Sequence, residues 1–200
     1  MTKLYHGSTT FLNSEKKVSR AVGILYKMRS IGTPQNVLVS LYYSLFHSHM
    51  SYGICVYGLT NSKYTSKITL IQKRAIRIIS KAPHNAHTQP LFNKLGILNF
   101  DKTLELQLSI LMWQYDHGKL PNCFNSYFKK IKSIHTHNTR SSSSQKLSEN
   151  VPVRTDFYGK KSLHFIGPRV FNKIVELDFF KTCNSLVGFK TNLKKFLLQN

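Results

Sequence analysis

The stretch LIQKRAIRIISKA, residues 70–82, combines a helical repeat of aliphatic residues with four cations and no acid. At 100° per residue, the aliphatic side chains fall on one side of a helix and the cations on the other. The same periodicity extends back to residue 62. The pattern predicts an amphipathic helix over about 62–82 that packs through one face and presents the other to solvent.

This predicted helix has a wholly aliphatic face and a cationic stripe. The aliphatic face carries Ile68, Ile71, Ala75, Ile78, Ile79 and Ala82. The stripe carries Lys63, Lys67, Arg74, Arg77 and Lys81, with Lys73 beside it, and is roughly 27 Å long. An acid four residues away would stabilise such a helix, and none is present. A solvated face and a face that follows phosphates are both open readings, and the missing counter-charge favours the second.

Other segments follow the helical period as well. Residues 14–30 form a predicted helix with Ser14 as its N-cap, and a second helix begins at Thr33-Pro34. The clearest pattern covers 101–117, and an amphipathic pattern over 186–197 closes the chain. These segments predict a mainly α fold.

The rest of the C-terminal half is less regular. Residues 133–150 are rich in serine and nearly free of apolar residues, as in a linker or loop. Runs 151–157 and 161–167 could form two short strands, and Gly167-Pro168 suggests a helix start.

The predicted organisation therefore has three parts. Residues 1–132 form a basic helical bundle, residues 133–150 a serine-rich linker or loop, and residues 151–200 a small segment with a β-hairpin plus helices.

The charge of the chain is strongly unbalanced. There are 29 Lys and Arg against 8 Asp and Glu, for a formal charge of +21, and Glu15 is the single acid among residues 1–100. Such self-repulsion points to a polyanionic partner, either nucleic acid or an anionic membrane. The longest apolar-rich run, 37–46, is too short to span a bilayer, so we expect no membrane partner.

The expected compartment is the nucleus or the cytoplasm. The three cysteines are isolated along the sequence, as in proteins of reducing compartments. The N-terminus has no continuous apolar region typical of a signal peptide, so we do not expect secretion.

The acids and histidines give little support for catalysis. Nucleotidyl transfer with divalent cations needs carboxylates held close together, and the eight acids form no such pair. The close histidine pairs lack zinc-site spacing, so we expect no metal and no cofactor; a hydrolytic enzyme using the histidines remains an alternative. Those pairs are His47/His49, His84/His87 and His135/His137.

Two further basic stretches interleave cations with rings that could stack on bases. They are YFKKIK, residues 127–132, and HTHNTR, residues 135–140. The alternative for the second stretch is an Asx-type turn with exposed histidines. The candidate nucleic-acid-binding residues in them are Lys129, Lys130, His135, His137, Asn138 and Arg140.

Six segments in order carry a family resemblance. They are YSLFHSHMSYGICVYG, LIQKRAIRII, HTQPLF with LGIL, HTHNTR, YGKKSLHFIGPRVFNKI and FKTNLKKFLL. This order resembles the C-terminal part of the reverse transcriptase of non-LTR (LINE-type, jockey-like) retrotransposons. Tyr57 and Phe171 depart from the pattern, because that family commonly has tryptophan there. Both changes keep an aromatic ring.

The resemblance implies the thumb and the region beyond it, which hold the template–product duplex and element RNA. It implies that the helix with Gln72, Lys73, Arg74 and Arg77 faces nucleic acid or packs within the thumb. Palm carboxylates of the YxDD type are absent from this sequence.

We therefore expect a fragment that binds RNA, DNA or an RNA–DNA hybrid, does not polymerise alone, and works with a palm-containing polymerase fragment. The alternatives are a stand-alone nucleic-acid-binding helical module and a non-functional remnant of a truncated element.

Overall fold

A computed structural model describes residues 4–60, 62–131, 146–149, 152 and 159–199, with side chains from residue 14 in the first helix and from residue 65 in the fifth. Within these ranges the chain is helical and forms no β-strand, so the predicted mainly α fold is confirmed. The helices are α1 (Leu4–Ser30), α2 (Gln35–Leu41), α3 (Ser48–Ser51), α4 (Ile54–Tyr57), α5 (Ser62–Ile79), α6 (Gln89–Leu95), α7 (Phe100–Asp116), α8 (Leu163–Val175), α9 (Asp178–Thr182) and α10 (Leu186–Gln199).

The chain divides into two compact units, residues 1–104 and residues 105–200. The sequence places the first division near residue 132 instead. The boundary between the units falls within α7, between Leu104 and Glu105, where no break in composition marks it. None of the helices described here is long and apolar enough to cross a bilayer.

Three long helical segments build the core of the first unit. They are α1, α5 and residues 35–51, where α2 and α3 are joined without interruption by a π-helical turn, Tyr42–His47. Val18 and Leu25 of α1, Tyr42 of the π-turn, and Ile68 and Ile79 of α5 are fully buried in one cluster. Burying each such side chain stabilises the fold by roughly 1.5–3 kcal/mol.

The aliphatic face predicted for α5 is the face that the fold buries. Ile68, Ala75, Ile78 and Ile79 are all buried, while Ile71 is half-buried. Gln72, for whose helix the resemblance leaves open facing nucleic acid or packing within the thumb, is completely buried among them. Its Nε2 donates to the Tyr42 hydroxyl at 2.9 Å and to the Leu98 carbonyl at 3.0 Å. Gln72 therefore packs inside the unit and does not face a ligand.

The first helix begins earlier than predicted. It starts at Leu4, so Ser14 is not an N-cap. Ser14 lies four residues before Val18 on the same face and is 5% exposed. The sequence misled because serine is typical of both caps and tightly packed helix positions. Gly32, at φ 82°, ends the helix as expected.

The second unit is built on α7 and α10. Trp113 of α7 is fully buried, with its ring stacked on Phe189 of α10 at a centroid distance of 5.8 Å. The predicted end of α7 is confirmed, because Gly118 follows it at φ 63°. Phe171 of α8 is also buried, as is Tyr57 in the first unit, so the two aromatic departures from the family pattern are both core positions.

The predicted hairpin is wrong in its second strand. Residues 163–167 belong to α8, which begins at Leu163 rather than at Gly167-Pro168. Gly167 is required by close packing instead: a Cβ there would lie 2.8 Å from the Phe128 ring and 3.2 Å from the Met112 sulfur. The first predicted strand, 151–157, falls outside the described residues except for Pro152.

The end of the predicted linker is held in place. Leu147 is fully buried, and its N–H donates to the Asn172 side-chain oxygen at 2.8 Å, while Asn172 Nδ2 donates to the Leu147 carbonyl at 3.0 Å. The backbone of 129–131 pairs with that of 146–148. The backbone of residues 129–131 and the side-chain amide of Asn172 thus hold Leu147 in place together.

Buried phenols make the first unit sensitive to alkali. Burial raises the pKa of Tyr42 and of Tyr57 well above the usual value near 10. Both phenols stay protonated in the folded state while the unfolded state loses protons above pH 10. Stability is therefore complete below pH 10 and falls as the pH rises further, by up to about 1.4 kcal/mol per pH unit for each tyrosine.

We expect Tyr57→Phe to flatten this decline in urea unfolding measured from pH 9 to 12. The exposed Tyr26→Phe, which removes a phenol from the surface of the same unit, is the matched control. Equal slopes for Tyr57→Phe and wild type would contradict the burial argument.

Candidate nucleic-acid interface

The outer side of α5 carries the cations that the sequence singles out. We call Lys67, Lys73, Arg74, Arg77 and Lys81 the cationic face of α5. Arg74 and Lys67 are exposed, Lys73 and Arg77 are half-buried, and Lys81 is exposed just beyond the helix end. The side chain of Lys63 is outside the described residues, although its backbone lies in the first turn.

One acid approaches this face. Glu15 Oε1 of α1 lies 3.9 Å from Lys67 Nζ, and the Lys67 side chain is 52% exposed. An exposed pair at this distance contributes little, typically 0–1 kcal/mol. A phosphate could therefore replace Glu15 as the partner of Lys67 at low cost.

Arg77 has a partner within the protein. Its Nε donates to the Ala86 carbonyl at 3.0 Å and so attaches the loop after α5 to the helix. The expectation that Arg77 is a free phosphate ligand needs correction, because one of its N–H groups is engaged and its side chain is half-buried. Its terminal nitrogens can still donate outward, since guanidinium has five N–H groups.

Lys81 occupies a backbone position that favours glycine. Four helices end in the same paired hydrogen bonds, for α5 from Lys81 N–H to Ile78 O and from Ala82 N–H to Arg77 O. Three of those helices place Gly32, Gly96 or Gly118 at the left-handed residue, whereas α5 places Lys81 there at φ 53°. A side chain there costs about 1–2 kcal/mol of backbone strain.

Two of the remaining predicted ligands lie in the second unit. Lys129 and Lys130 are exposed but belong to the second unit, where Lys130 pairs through its backbone with Leu147. The other predicted ligands lie outside the described residues, and their role stays a prediction. They are His135, His137, Asn138 and Arg140.

Four glutamates of the described residues form ion pairs with lysine or arginine. Among the described residues, no group of three His, Cys, Asp or Glu side chains is close enough to hold a metal ion. The pairs are Glu15 with Lys67, Glu105 with Lys173, Glu149 with Arg169 at 3.7 Å, and Glu176 with Lys146 at 2.6 Å.

The described thiols and histidines lie in packed or solvent-exposed positions. Burial raises the pKa of the Cys55 thiol to about 11, which disfavours the nucleophilic thiolate. Cys123 and Cys183 are also free thiols. The ring of His47 packs against Tyr43 at 5.3 Å, and His84 and His87 are exposed in the loop after α5.

The first helix, α1, carries a second set of cations that its apolar pattern does not single out. Lys16, Arg20 and Lys27 are exposed and lie within about 60° of one another on the outer face of that helix. Their spacing of four and seven residues is itself a helical signal. It was overlooked because apolar positions alone defined that helix.

Comparisons with protein-family models, with curated proteins and with solved structures give no match.

Arg74 and Arg77 should differ in their effect on stability. Arg77→Gln removes a hydrogen bond to a half-buried carbonyl and the packing of the side-chain stem, so we expect a loss of about 1–2 kcal/mol in urea unfolding. Arg74→Gln, on the exposed side of the same helix, should change the free energy of unfolding by less than about 0.5 kcal/mol. Equal losses would contradict the assigned geometry.

Lys81→Gly should have opposite effects on folding and binding. Glycine relieves the left-handed strain, and we expect a gain of about 0.5–1 kcal/mol in the free energy of unfolding. Loss of the cation should weaken nucleic-acid binding in the same preparation. A variant that is more stable and binds equally well would show that Lys81 is not a ligand.

Proposed function

We propose that this chain is a nucleic-acid-binding C-terminal fragment of a non-LTR retrotransposon reverse transcriptase that lacks the catalytic palm. On its own it binds RNA, DNA or an RNA–DNA hybrid and does not polymerise. The cationic face of α5 holds the phosphate backbone, and a palm-containing polymerase fragment supplies the chemistry.

The observation that carries this proposal is the exposure of cations on α5 with a single weak counter-charge. Arg74, Lys73 and Lys81 have no carboxylate partner among the described residues. Like charges at these spacings destabilise a helix unless an external anion neutralises them. A regular row of such charges along a helix suits the evenly spaced phosphates of a nucleic acid.

Support for the parent family comes from the order of sequence segments, as given above. The helix that carries LIQKRAIRII has the amphipathic character this role requires, with Gln72 fixing its inner side. The compact first unit, which has its own core, also supports a stand-alone binding module as a second candidate.

Salt dependence tests the binding proposal. If Lys73, Arg74 and Lys81 each neutralise one phosphate of a duplex, the logarithm of the association constant should fall with the logarithm of salt at a slope near −2.7. Lys67, Lys63 and Arg77 would steepen it. A fourfold rise in salt should then weaken binding to a labelled RNA–DNA hybrid by about fortyfold or more.

Arg74→Gln is the direct variant, and Lys94→Gln is its control. Lys94 is exposed on α6 of the same unit, so both changes remove one surface charge. Arg74→Gln should weaken binding about fivefold at 0.15 M salt and reduce the slope by about 0.9. Binding that is insensitive to salt, or equally weakened by Lys94→Gln, would overturn the assignment of α5.

Mixing the chain with a purified palm-containing reverse transcriptase fragment separates the two candidates. A gain in template retention over the palm fragment alone is expected of a thumb-like fragment. Binding without any such gain would favour the stand-alone module.

A further inference from the structure

The outward side of α1 has an unusual composition. Lys16, Ser19, Gly23, Tyr26 and Lys27 are all exposed and lie within about 60° of the Gly23 direction on the helix. No described carboxylate pairs with either lysine. Cations, hydroxyls and a glycine therefore share one solvent-facing surface, to which the exposed Arg20, about 60° from the Gly23 direction, also belongs.

The α1 surface adjoins α5 along a defined edge. Glu15 of α1 approaches Lys67 of α5, which shows which edges of the two helices meet. Ser19 and Tyr26 lie within about 40° of Glu15, and Arg74 lies within about 20° of Lys67. The hydroxyls of α1 and the cations of α5 therefore border the same groove.

The two helices run in the same direction. Glu15 meets the start of α5 at Lys67, and Gln35, just after α1, donates from Nε2 to the carbonyl of Ile79 at the end of α5 at 3.4 Å. A groove between parallel, packed helices continues over several turns, so an extended ligand could follow it.

Gly23 has no internal explanation. It sits in the middle of α1, where glycine is less favourable than alanine. A Cβ at this position would meet nothing within 4 Å, and its backbone is not among those with positive φ. Neither packing nor backbone conformation requires glycine here. Close approach of an external chain would.

We propose that one strand of a nucleic acid follows the groove between α1 and α5, with its backbone passing over Gly23. The residues of α1 that contact it are Lys16, Ser19, Tyr26 and Lys27. The serine and tyrosine hydroxyls donate to phosphate oxygens while Lys67 and Arg74 neutralise the charge from the other side. This inference rests on the proposed function of α5 and assigns α1 as the second wall of that site.

Adjacent lysines provide a matched test. Lys16 and Lys17 are both exposed, but Lys16 lies about 20° from the Gly23 direction and Lys17 about 120° away. On the full chain, Lys16→Gln should weaken binding to the labelled RNA–DNA hybrid about fivefold at 0.15 M salt, and Lys17→Gln less than twofold. If the two variants weaken binding equally, the proposed contact between the strand and Lys16 is wrong.

Blocking the groove tests the role of Gly23. Gly23→Gln favours the helix and meets no protein atom, so the variant should fold at least as well as wild type in urea. Its side chain would occupy the strand's path, and we expect at least fivefold weaker binding. Ile24→Gln changes the neighbouring exposed residue and is the control. Unchanged binding by Gly23→Gln would overturn the proposal.

The outcomes separate this inference from the function on which it depends. Loss of binding with Arg74→Gln but not with Lys16→Gln or Gly23→Gln would leave α5 as the interface and remove α1 from it. No loss with Arg74→Gln would remove the proposed function itself. Vesicles containing phosphatidylserine complete the test. If Lys16→Gln and Lys17→Gln differ only on vesicles and not on the hybrid, the groove is not a nucleic-acid site.

Discussion

The rotation of α5 about its own axis decides what the first unit can present to solvent. The amide of Gln72 fixes this rotation, because it joins the Tyr42 hydroxyl and the Leu98 carbonyl inside a core of aliphatic side chains. A helix turned by one residue would bury a cation and expose an isoleucine, at a cost of several kcal/mol. The cations therefore face outward as a consequence of how the opposite side packs.

The packing of the first unit leaves most of its positive charges without an acidic partner in the sequence of that unit. The second unit pairs several of its acids with its own cations, such as Glu105 with Lys173 and Glu176 with Lys146. The first 100 residues contain one acid for thirteen cations, so they can neutralise few of their own charges beyond the Glu15–Lys67 pair. Repulsion between these charges lowers stability until an anion screens them. A folded unit with this imbalance is best suited to a polyanionic ligand.

Periodicity predicted the helices and the buried face of α5, because burial of aliphatic side chains decides both. It failed where polar residues take core roles. Ser14 is predicted as a cap, and the helix with Gln72 is predicted to face nucleic acid or to pack within the thumb, whereas tertiary contacts bury both residues. The start of α8 was misplaced since Gly167-Pro168 is typical of helix starts, whereas close packing on Phe128 requires the glycine. Cation positions were predictable, but the attachment of Arg77 to Ala86 depends on a loop conformation that no period encodes.

Two solvent-exposed residues of the first unit differ from the residue type that their backbone position favours. Lys81 takes a left-handed conformation that three other helix ends give to glycine, and Gly23 takes an open helix position that alanine would stabilise. Each exchange would improve the isolated fold, and nothing inside the first unit compensates for either. Local sequence choices normally agree with the fold, and exceptions concentrate where function imposes its own requirement. A cation at Lys81 and a position without a side chain at Gly23 both suit an anionic ligand, such as a nucleic-acid strand, that approaches α1 and α5 closely.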